Sequence, residues 1–397
     1  MSAAPPLPVL VPPLATAGLA GIGGRLRSRD EDFAVEELPA YAPAGEGDHV
    51  WVWIEKRDLT TPVAAARLAA AAGVPARDVG WAGMKDRHAV TRQWLSLPPP
   101  ARPEQVAGLD DGGLRVLAVT RHRHKLRTGH LAGNRFALVV RDLAAPAAAA
   151  AQARATLAAL AAGAPNWYAE QRFGRDGDNA QRGLALIRAG GRGGAPRQRR
   201  FLVSALQSYL FNRWLAARLD DGLLAVVLAG DVLQKRASGG LFTSTDPDTD
   251  GARLAAGELA ITGPMFGASM RAPPDGSPAH AREAALLAEL DLGPATFHAV
   301  RAIAPGTRRQ ATVLLGEPAV EVVADAADAI RVAFTLPAGA YATAVMREVM
   351  KPAAEPPEAA RDEPAGDPAG ARDDDPAGTR DDDPDPAPAP LADGHAV

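Results

Sequence analysis

The residues best suited to chemistry lie in one short segment, 80–97, which reads GWAGMKDRHAVTRQWLSL. In it Asp86 follows Lys85, and three more basic residues come next: Arg87, His88 and Arg92. Nearby cations keep a carboxylate ionised as a nucleophile or base, and they can also hold the phosphates of an anionic substrate. An aspartate here could instead cap a helix that begins near Arg87. The segment therefore predicts either a reactive carboxylate or a helix cap.

The elements that position this segment mix strands and helices without strict alternation. Residues 49–55, HVWVWIE, alternate apolar and polar side chains like a half-buried strand. Thr61-Pro62 then opens an alanine-rich helix that stops near Gly73, and Phe136–Val140 predicts a second strand. These patterns indicate an α+β fold.

The later part of the chain suggests a second domain and a return to the first. Pro146–Ala162 predicts a helix ended by Gly163, and we place a domain boundary near this glycine. Residues 199–219 predict a long helix with an apolar stripe that belongs in a core. From about residue 311 strand-like sequence returns, and residues 330–350 predict a strand, a turn and a closing helix that complete the first domain.

Composition limits the class of protein. The chain has 397 residues, enough for two ordinary domains, and 47% of them are hydrophobic. It contains no cysteine, which excludes disulfides, thiol redox chemistry and cysteine-ligated metals. Five prolines interrupt the apolar N-terminus and no basic stretch precedes it, so we expect residues 1–24 to form a flexible lead-in, neither a secretory signal nor a spanning helix.

Charge is divided unevenly between the body of the chain and its tail. The formal net charge is −4, but residues 353–397 alone carry about −10, which leaves about +6 on the rest. The tail is rich in proline, aspartate and alanine, repeats a motif ending in RDDDP, and predicts a disordered acidic extension. The basic bias of the body is typical of proteins that bind structured RNA.

Several motifs resemble the TruD family of tRNA pseudouridine synthases. The central string Gly83-Met84-Lys85-Asp86 through Gln93-Trp94 is similar to the family's G-x-K-D-x-x-A-V-T-x-Q-W motif. Other similar stretches follow in the family's order: Arg29 to Phe33, Arg121 to Arg127, Gly133 to Phe136, Pro165 to Gly174 and Leu336 to Glu348. Matching fragments in one order are more specific than any single fragment.

The resemblance implies an architecture and a reaction. It implies a pseudouridine synthase-type catalytic domain with a mixed or antiparallel sheet, formed by residues 25–162 and 312–352 and interrupted by an inserted α/β domain, 163–311. A positively charged cleft separates the two domains in this family. The implied reaction converts uridine to pseudouridine in the D arm of tRNA, at position thirteen, without a cofactor.

The resemblance also implies roles for individual residues. Asp86 is the implied catalytic carboxylate, Phe136 the implied stacking partner of the target base, and Asn134 a contact of either Asp86 or the uracil edge. Lys85 would neutralise Asp86 or touch phosphate, and Glu31 matches a position near the active site. The expected RNA-binding residues are Arg87, His88, Arg92, Arg121, Lys125, Arg127 and Arg172. A phenylalanine placed like Phe136 is otherwise usually the first core residue of a strand.

Rival sites and functions have weaker support in the sequence. Asp246 to Gly251 resembles the start of a calcium loop but lacks the glutamate at its twelfth position. His122, His124 and His130 have basic neighbours that would repel a metal ion. Glu36 and Glu37 would point to opposite faces of a strand, which argues against a glycosidase pair. A noncatalytic RNA-binding protein and a hydrolase of N-glycosidic bonds remain as alternatives, and we expect a cytoplasmic monomer that binds tRNA, with no metal and no membrane contact.

Overall fold

The computed structural model of the protein describes residues 6–174 and 176–351, apart from the Gln171 side chain. The strands are β1 Arg25–Leu26, β2 Phe33–Pro39, β3 His49–Arg57, β4 Gly80–Trp81, β5 Val90–Leu97, β6 Leu114–His122, β7 Leu131–Arg141, β8 Ala164–Pro165, β9 Val232–Lys235, β10 Leu241–Thr243, β11 Leu259–Met265, β12 Thr307–Gln310, β13 Thr312–Val313, β14 Gly316–Val322 and β15 Ile330–Pro337. The α-helices are α1 Thr61–Ala72, α2 Pro146–Ala159, α3 Asn179–Arg188, α4 Pro196–Asp220, α5 Pro247–Ala255, α6 Pro278–Ala288, α7 Pro294–Ala299 and α8 Ala342–Met350. The acidic tail expected to be disordered lies outside the described residues.

The larger sheet has the order β14-β15-β7-β2-β5-β3-β6, with β1 beside β7 and β4 beside β5. Its pairs are antiparallel except for β2 and β5, which run parallel. Strands from both ends of the chain therefore share one sheet, since β15 pairs with β7 along its whole length. A separate sheet, β10-β9-β11-β12, lies in the intervening sequence. The expected α+β class with a mixed sheet is confirmed.

Local sequence explains the elements next to the site. Helix α1 begins where the Thr60 hydroxyl accepts from Val63 N–H, with Pro62 in its first turn. It ends at Gly73, whose left-handed φ of 67° suits glycine. Helix α2 is shorter than predicted, because residues 160–162 form turns that lead into β8.

One face of the larger sheet carries two apolar cores. Helices α2 and α8 cover the first, around Phe136, Leu138 and Phe334, and helix α1 covers the second, around Val52 and Ile54. The strand pairings place polar side chains on this same face between the two cores: Glu37, Lys56, Thr91, Gln93 and Asn134. We call these five residues the polar strip, and all but the half-buried Asn134 are buried. A buried polar strip needs partners, and it finds most of them in the loop before β5.

The N-terminal segment makes contacts that a flexible lead-in would not make. Leu7 N–H donates to the Gln181 side chain at 2.8 Å, and Tyr209 OH donates to Pro8 O at 3.0 Å. Further along, the buried Glu348 carboxylate accepts from Ala15 N–H, Thr16 N–H and the Thr16 hydroxyl. Residues 7–23, here called the N-terminal strap, therefore connect α3 and α4 to α8. The prolines that suggested fraying favour an extended backbone, which lets the strap cover this distance.

Candidate active site

The loop that carries Asp86 connects β4 to β5. The structure gives residues 83–89 no helix, and strand β5 begins at Val90, so the helix-cap interpretation of Asp86 is wrong. The Asp86 side chain is 44% exposed, and its Oδ2 accepts from Arg27 Nη2 at 2.6 Å. The carboxylate thus contacts a cation on one side and is open to solvent on the other. The open side makes it accessible to a large substrate.

Hydrogen bonds from buried side chains fix the backbone just before Asp86. The Thr61 hydroxyl accepts from Lys85 N–H at 3.0 Å and donates to Gln93 Oε1 at 2.9 Å. The Gln93 amide in turn donates to Gly83 O at 3.0 Å. Thr61 and Gln93 are both fully buried, so water does not compete for these bonds. The loop is held from the start of α1 and from β5.

Lys56 holds the backbone at Asp86 itself. Its ammonium donates to Asp86 O at 2.7 Å and also to Leu59 O. The residue is fully buried, and burial lowers the pKa of Lys56 to about 8, an effect partly opposed by the nearby Asp86 charge. Among the described residues its ammonium makes no salt bridge. Lys56 was absent from the sequence predictions because only the pairing of β3 with β5 brings it under the loop.

Lys85 points into the protein and pairs with Glu37. Its Nζ lies 2.6 Å from Glu37 Oε2, and the two side chains are only 5% and 1% exposed. Burial raises the pKa of Glu37, and the Lys85 charge opposes that shift. The sequence led us to expect Lys85 to contact Asp86 or a phosphate, but its side chain points inward instead. It does so because Glu37, on the inward face of β2, offers it a buried carboxylate. Glu36, on the outward face, pairs with Arg135 instead, as strand alternation predicts.

Arg27, like Lys56, is a residue of the candidate site that sequence reasoning missed. Its backbone has a φ of 62°, and its guanidinium carbon lies 3.8 Å from the centre of the Phe33 ring. This stacking places Nη2 against Asp86. The sequence signal is the basic run 25–29, which by itself indicates only positive charge.

Asn134 and Phe136 lie on β7, next to β2 and β15. Asn134 is opposite Glu37 and Leu336, and its buried Oδ1 has no hydrogen-bond partner among the described residues. Phe136 is 6% exposed and lies edge-on to Phe33, with ring centres 6.5 Å apart. Phe136 therefore packs as a core residue, which is the alternative that its position in the sequence suggests. Its neighbour Phe33 stacks against the Arg27 guanidinium, so Phe136 is linked to the candidate site through Phe33.

The charged residues around the loop are matched by acids. Arg87 Nε donates to Asp58 at 2.8 Å, and this bond holds the pKa of Asp58 below its usual range. His88 lies 3.4 Å from the same carboxylate. Two more ion pairs lie in the partly exposed surface around the loop, which we call the rim: Arg92 with Glu55, and the exposed Glu31 with Arg57. The structure therefore places Glu31 on the rim rather than against Asp86.

A second basic segment, 121–131, packs beside the loop. Gly129 N–H donates to Ala82 O at 2.9 Å, and Leu126 N–H donates to the Ser96 hydroxyl at 2.9 Å. These bonds bring Lys125 and Arg127 close to the loop that carries Asp86, while Arg121 donates to Gly47 O. Arg172 is not part of this segment: it donates to the hydroxyls of two serines on α4, Ser204 and Ser208.

The residues of the rival metal sites make ordinary structural contacts. Asp246 caps α5 by accepting from Thr249 N–H at 3.2 Å, so the calcium-like motif serves as a helix start. His122 Nδ1 accepts from Ala44 N–H, and His130 shares a bond with Tyr41 OH. Over residues 6–174 and 176–351, no group of three or more histidine, cysteine or acidic residues could hold a metal ion. In the same part of the chain, no helix is long and apolar enough to cross a bilayer.

Comparison with known proteins identifies the family. The family model of tRNA pseudouridine synthase D (TruD) matches residues 14–191 and 194–349. A tRNA pseudouridine synthase D of Anaeromyxobacter dehalogenans (strain 2CP-C) is 50% identical over 355 residues, covering 87% of this chain and 98% of the relative. One from Thermus thermophilus is 42% identical over 340 residues, covering 85% of this chain and 92% of the relative.

A solved structure agrees on the fold. The crystal structure described as a putative tRNA pseudouridine synthase D (TruD) from Methanosarcina mazei superimposes with a TM-score of 0.69 at 23% identity, covering 85% of this chain and 95% of that one. At 23% identity this structural similarity supports the fold alone, whereas the family model and the more similar sequences establish the family. The chain belongs to the TruD family of tRNA pseudouridine synthases.

Proposed function

We propose that this protein isomerises a uridine in the D arm of tRNA, at position thirteen, and that Asp86 is its catalytic carboxylate. The observation that carries the proposal is the presentation of Asp86. Its carboxylate is half-exposed and paired with Arg27, on a loop whose backbone is held by Lys56, Thr61 and Gln93. Such support fixes a reactive group in place before the substrate arrives.

The reaction needs little besides this carboxylate. The bond from ribose C1′ to uracil N1 breaks, the base turns while bound, and a bond from C1′ to C5 forms, with no net change in oxidation state. Asp86 either attacks the sugar or removes a proton from it. Arg27 orients the carboxylate in both routes through its ion pair.

The target uridine must leave its stack to reach Asp86, at a cost of about a few kcal/mol. In our proposal Asn134 Oδ1, the buried acceptor without a partner among the described residues, receives the N3–H of the turned-out uracil. Phe136 and Phe33 form the apolar floor beneath the base. Lys85 supports the loop from the protein interior through its ion pair with Glu37. Glu31 holds the side chain of Arg57 in place at the rim.

Basic residues around this site contact the tRNA backbone in the proposal. They are Arg87, His88 and Arg92 on the rim, Arg121, Lys125 and Arg127 beside the loop, and Arg172 near α4. We further propose that residues 163–311 form an inserted domain facing the site, because the second sheet lies there while β14 and β15 return to the first. The expected assembly is a cytoplasmic monomer, which light scattering of the purified protein would test.

The direct test is incubation with an unmodified tRNA transcript, without metal or nucleotide, followed by carbodiimide treatment and primer extension. A reverse-transcription stop at the D-arm uridine is expected for the wild type and for the control Asp275→Asn, whose side chain is fully exposed. Asp86→Asn should give no stop while tRNA affinity stays similar or rises. A stop with Asp86→Asn would refute its catalytic role.

Two further outcomes would identify the alternatives. Salt-sensitive tRNA binding without any stop on any transcript would support a noncatalytic RNA-binding protein. Release of free uracil would support a hydrolase, since an isomerase keeps the base attached to its ribose.

A further inference from the structure

Arg309, on β12, is held almost entirely by neutral groups. Its Nη2 donates to Gly339 O at 3.0 Å, to Asn166 O at 3.2 Å and to the Asn166 side chain. The guanidinium carbon lies 4.0 Å from the centre of the Tyr168 ring. Burial lowers the pKa of Arg309. Among the described residues, no carboxylate lies within ion-pair distance of it.

Two arginines that are more deeply buried than the partly buried Arg309 do have carboxylate partners in the described part of the chain. Arg218 is fully buried and pairs with Asp231 at 2.9 Å. Arg308, the residue beside Arg309 in the same strand, pairs with Glu283 at 2.8 Å and is 1% exposed. Taking a charge partly out of water without a counter-charge is costly, so the contrast between Arg308 and Arg309 indicates that the partner of Arg309 comes from outside the described residues.

A second arginine with the same character faces the same tyrosine. The Arg172 guanidinium donates to the hydroxyls of Ser204 and Ser208 and lies 5.7 Å from the Tyr168 ring. The described residues give it no carboxylate partner either. The Tyr341 ring is 6.1 Å from Tyr168. Burial raises the pKa of Tyr341, and both arginines oppose that shift. We call Tyr168, Arg172, Arg309 and Tyr341 the arginine–tyrosine pocket.

This pocket adjoins the candidate active site. Tyr341 and Gly339 follow β15, in which Leu336 lies opposite Asn134 and Pro337 lies opposite Gly133. The turn at Gly339 is exposed, so the pocket opens to solvent at the end of the sheet that carries Asn134. A group bound there would lie next to a base held at Asn134.

We propose that the arginine–tyrosine pocket binds a phosphodiester group of the RNA strand adjacent to the target uridine. The inference rests on the proposed function, because it places this phosphate beside a uridine bound at Asp86. Guanidinium groups offer paired N–H donors that match phosphate oxygens, and phenol hydroxyls donate to the same acceptors. The phosphate supplies the negative charge that Arg309 and Arg172 lack within the described chain.

The test uses Arg172→Gln in the full-length protein and measures tRNA affinity across a series of salt concentrations. Each phosphate contact that is lost lowers the slope of log affinity against log salt by about 0.7–0.9. We expect that decrease and roughly tenfold weaker binding at low salt. The matched control is Arg188→Gln: this arginine also donates to a neutral carbonyl, Leu290 O, but on α3 outside the pocket, and its slope should not change.

Arg309 also joins Asn166 to Gly339, so a purely structural clamp is the competing interpretation. Arg309→Lys keeps the charge and a donor, and should retain the wild-type slope with weaker binding. The proposal would be overturned if Arg172→Gln unfolds at lower urea while its slope stays at the wild-type value, or if Arg309→Lys unfolds at lower urea while its tRNA affinity stays at the wild-type value.

A second probe removes the charge from the RNA instead. A transcript with one neutral methylphosphonate flanking the target uridine should bind the wild type more weakly, and should bind Arg172→Gln no more weakly than the unmodified transcript does. An equal loss for both proteins would overturn the proposal. Pseudouridine formation by the wild type is measured in parallel. If the wild type forms product but the salt slope of Arg172→Gln is unchanged, only the phosphate site is refuted. If the wild type forms no product, the proposed function is refuted.

Discussion

Replacing Glu37 by glutamine tests whether the buried pair beneath the loop supports the active site. The glutamine keeps the shape and still offers an oxygen to Lys85, so the change removes charge and leaves no cavity. Because the two side chains are 1% and 5% exposed and 2.6 Å apart, Lys85 is left as an uncompensated buried cation. Removing one partner of such a pair costs about 3–5 kcal/mol, against a total stability of about 5–15 kcal/mol.

The assay is urea unfolding at pH 7 for Glu37→Gln, Lys85→Met and the double variant. Each single change should cost about 3–5 kcal/mol, and the double change should cost clearly less than their sum, since it leaves neither charge unpaired. The reasoning is refuted if Glu37→Gln costs less than about 1 kcal/mol or if the two losses simply add.

The stability of the two single variants should respond differently to acid. In the wild type, burial already raises the pKa of Glu37 above its ordinary value of 4.5. Loss of the Lys85 charge raises it further, so in Lys85→Met the folded state binds a proton that the unfolded state has released. The destabilisation of Lys85→Met should therefore diminish as the pH falls through the folded pKa of Glu37. Glu37→Gln has no such carboxyl, and acid should give it no comparable relief.

Three other variants test separate contacts of the site. Arg27→Gln should slow single-turnover pseudouridine formation by roughly 10–100-fold with folding intact, because Asp86 loses its ion pair; an unchanged rate would remove Arg27 from the mechanism. Lys56→Met should remove a pH effect on urea unfolding: the folded pKa of about 8 lies below the ordinary 10.5, so wild-type stability relative to the variant should rise from pH 8 to 10.5, and equal curves would contradict that pKa. Gly133→Ala should destabilise the protein by about 1–3 kcal/mol, since a Cβ there would lie 2.2 Å from Leu336 O, whereas the control Gly251→Ala, with no atom within 4 Å, should not; similar unfolding of both would contradict the close approach.

The sequence predicts local elements well where short-range chemistry sets them. Alternation marked β3, and a threonine-proline start with a glycine end marked α1 within a residue. The strand, turn and helix at 330–350 were predicted from the same kind of pattern and are confirmed. The loop with Asp86 was located by motif resemblance, since no local pattern distinguishes it from a helix cap.

Contacts that depend on strand pairing could not be predicted. Lys85 and Glu37 are 48 positions apart, and their pairing depends on β2 running parallel to β5. Lys56 reaches Asp86 only through the register of β3 on β5. The N-terminal strap was misjudged for a different reason: its backbone N–H groups donate to the side chain of a residue as distant in sequence as Glu348, and composition carries no signal for such contacts.

The pairing of β7 with β15 also affects how the protein folds while the ribosome synthesises it. Strand β7 ends at Arg141, and its partner β15 does not end until Pro337. At about 5–20 residues per second, the ribosome needs roughly 10–40 s to synthesise the stretch between them. During that time the nascent chain exposes the β7 edge beside Asn134, a surface open to wrong strand pairing. A chain stalled before β15 would already contain Asp86 and its supporting residues but would lack the strand that lies beside Asn134.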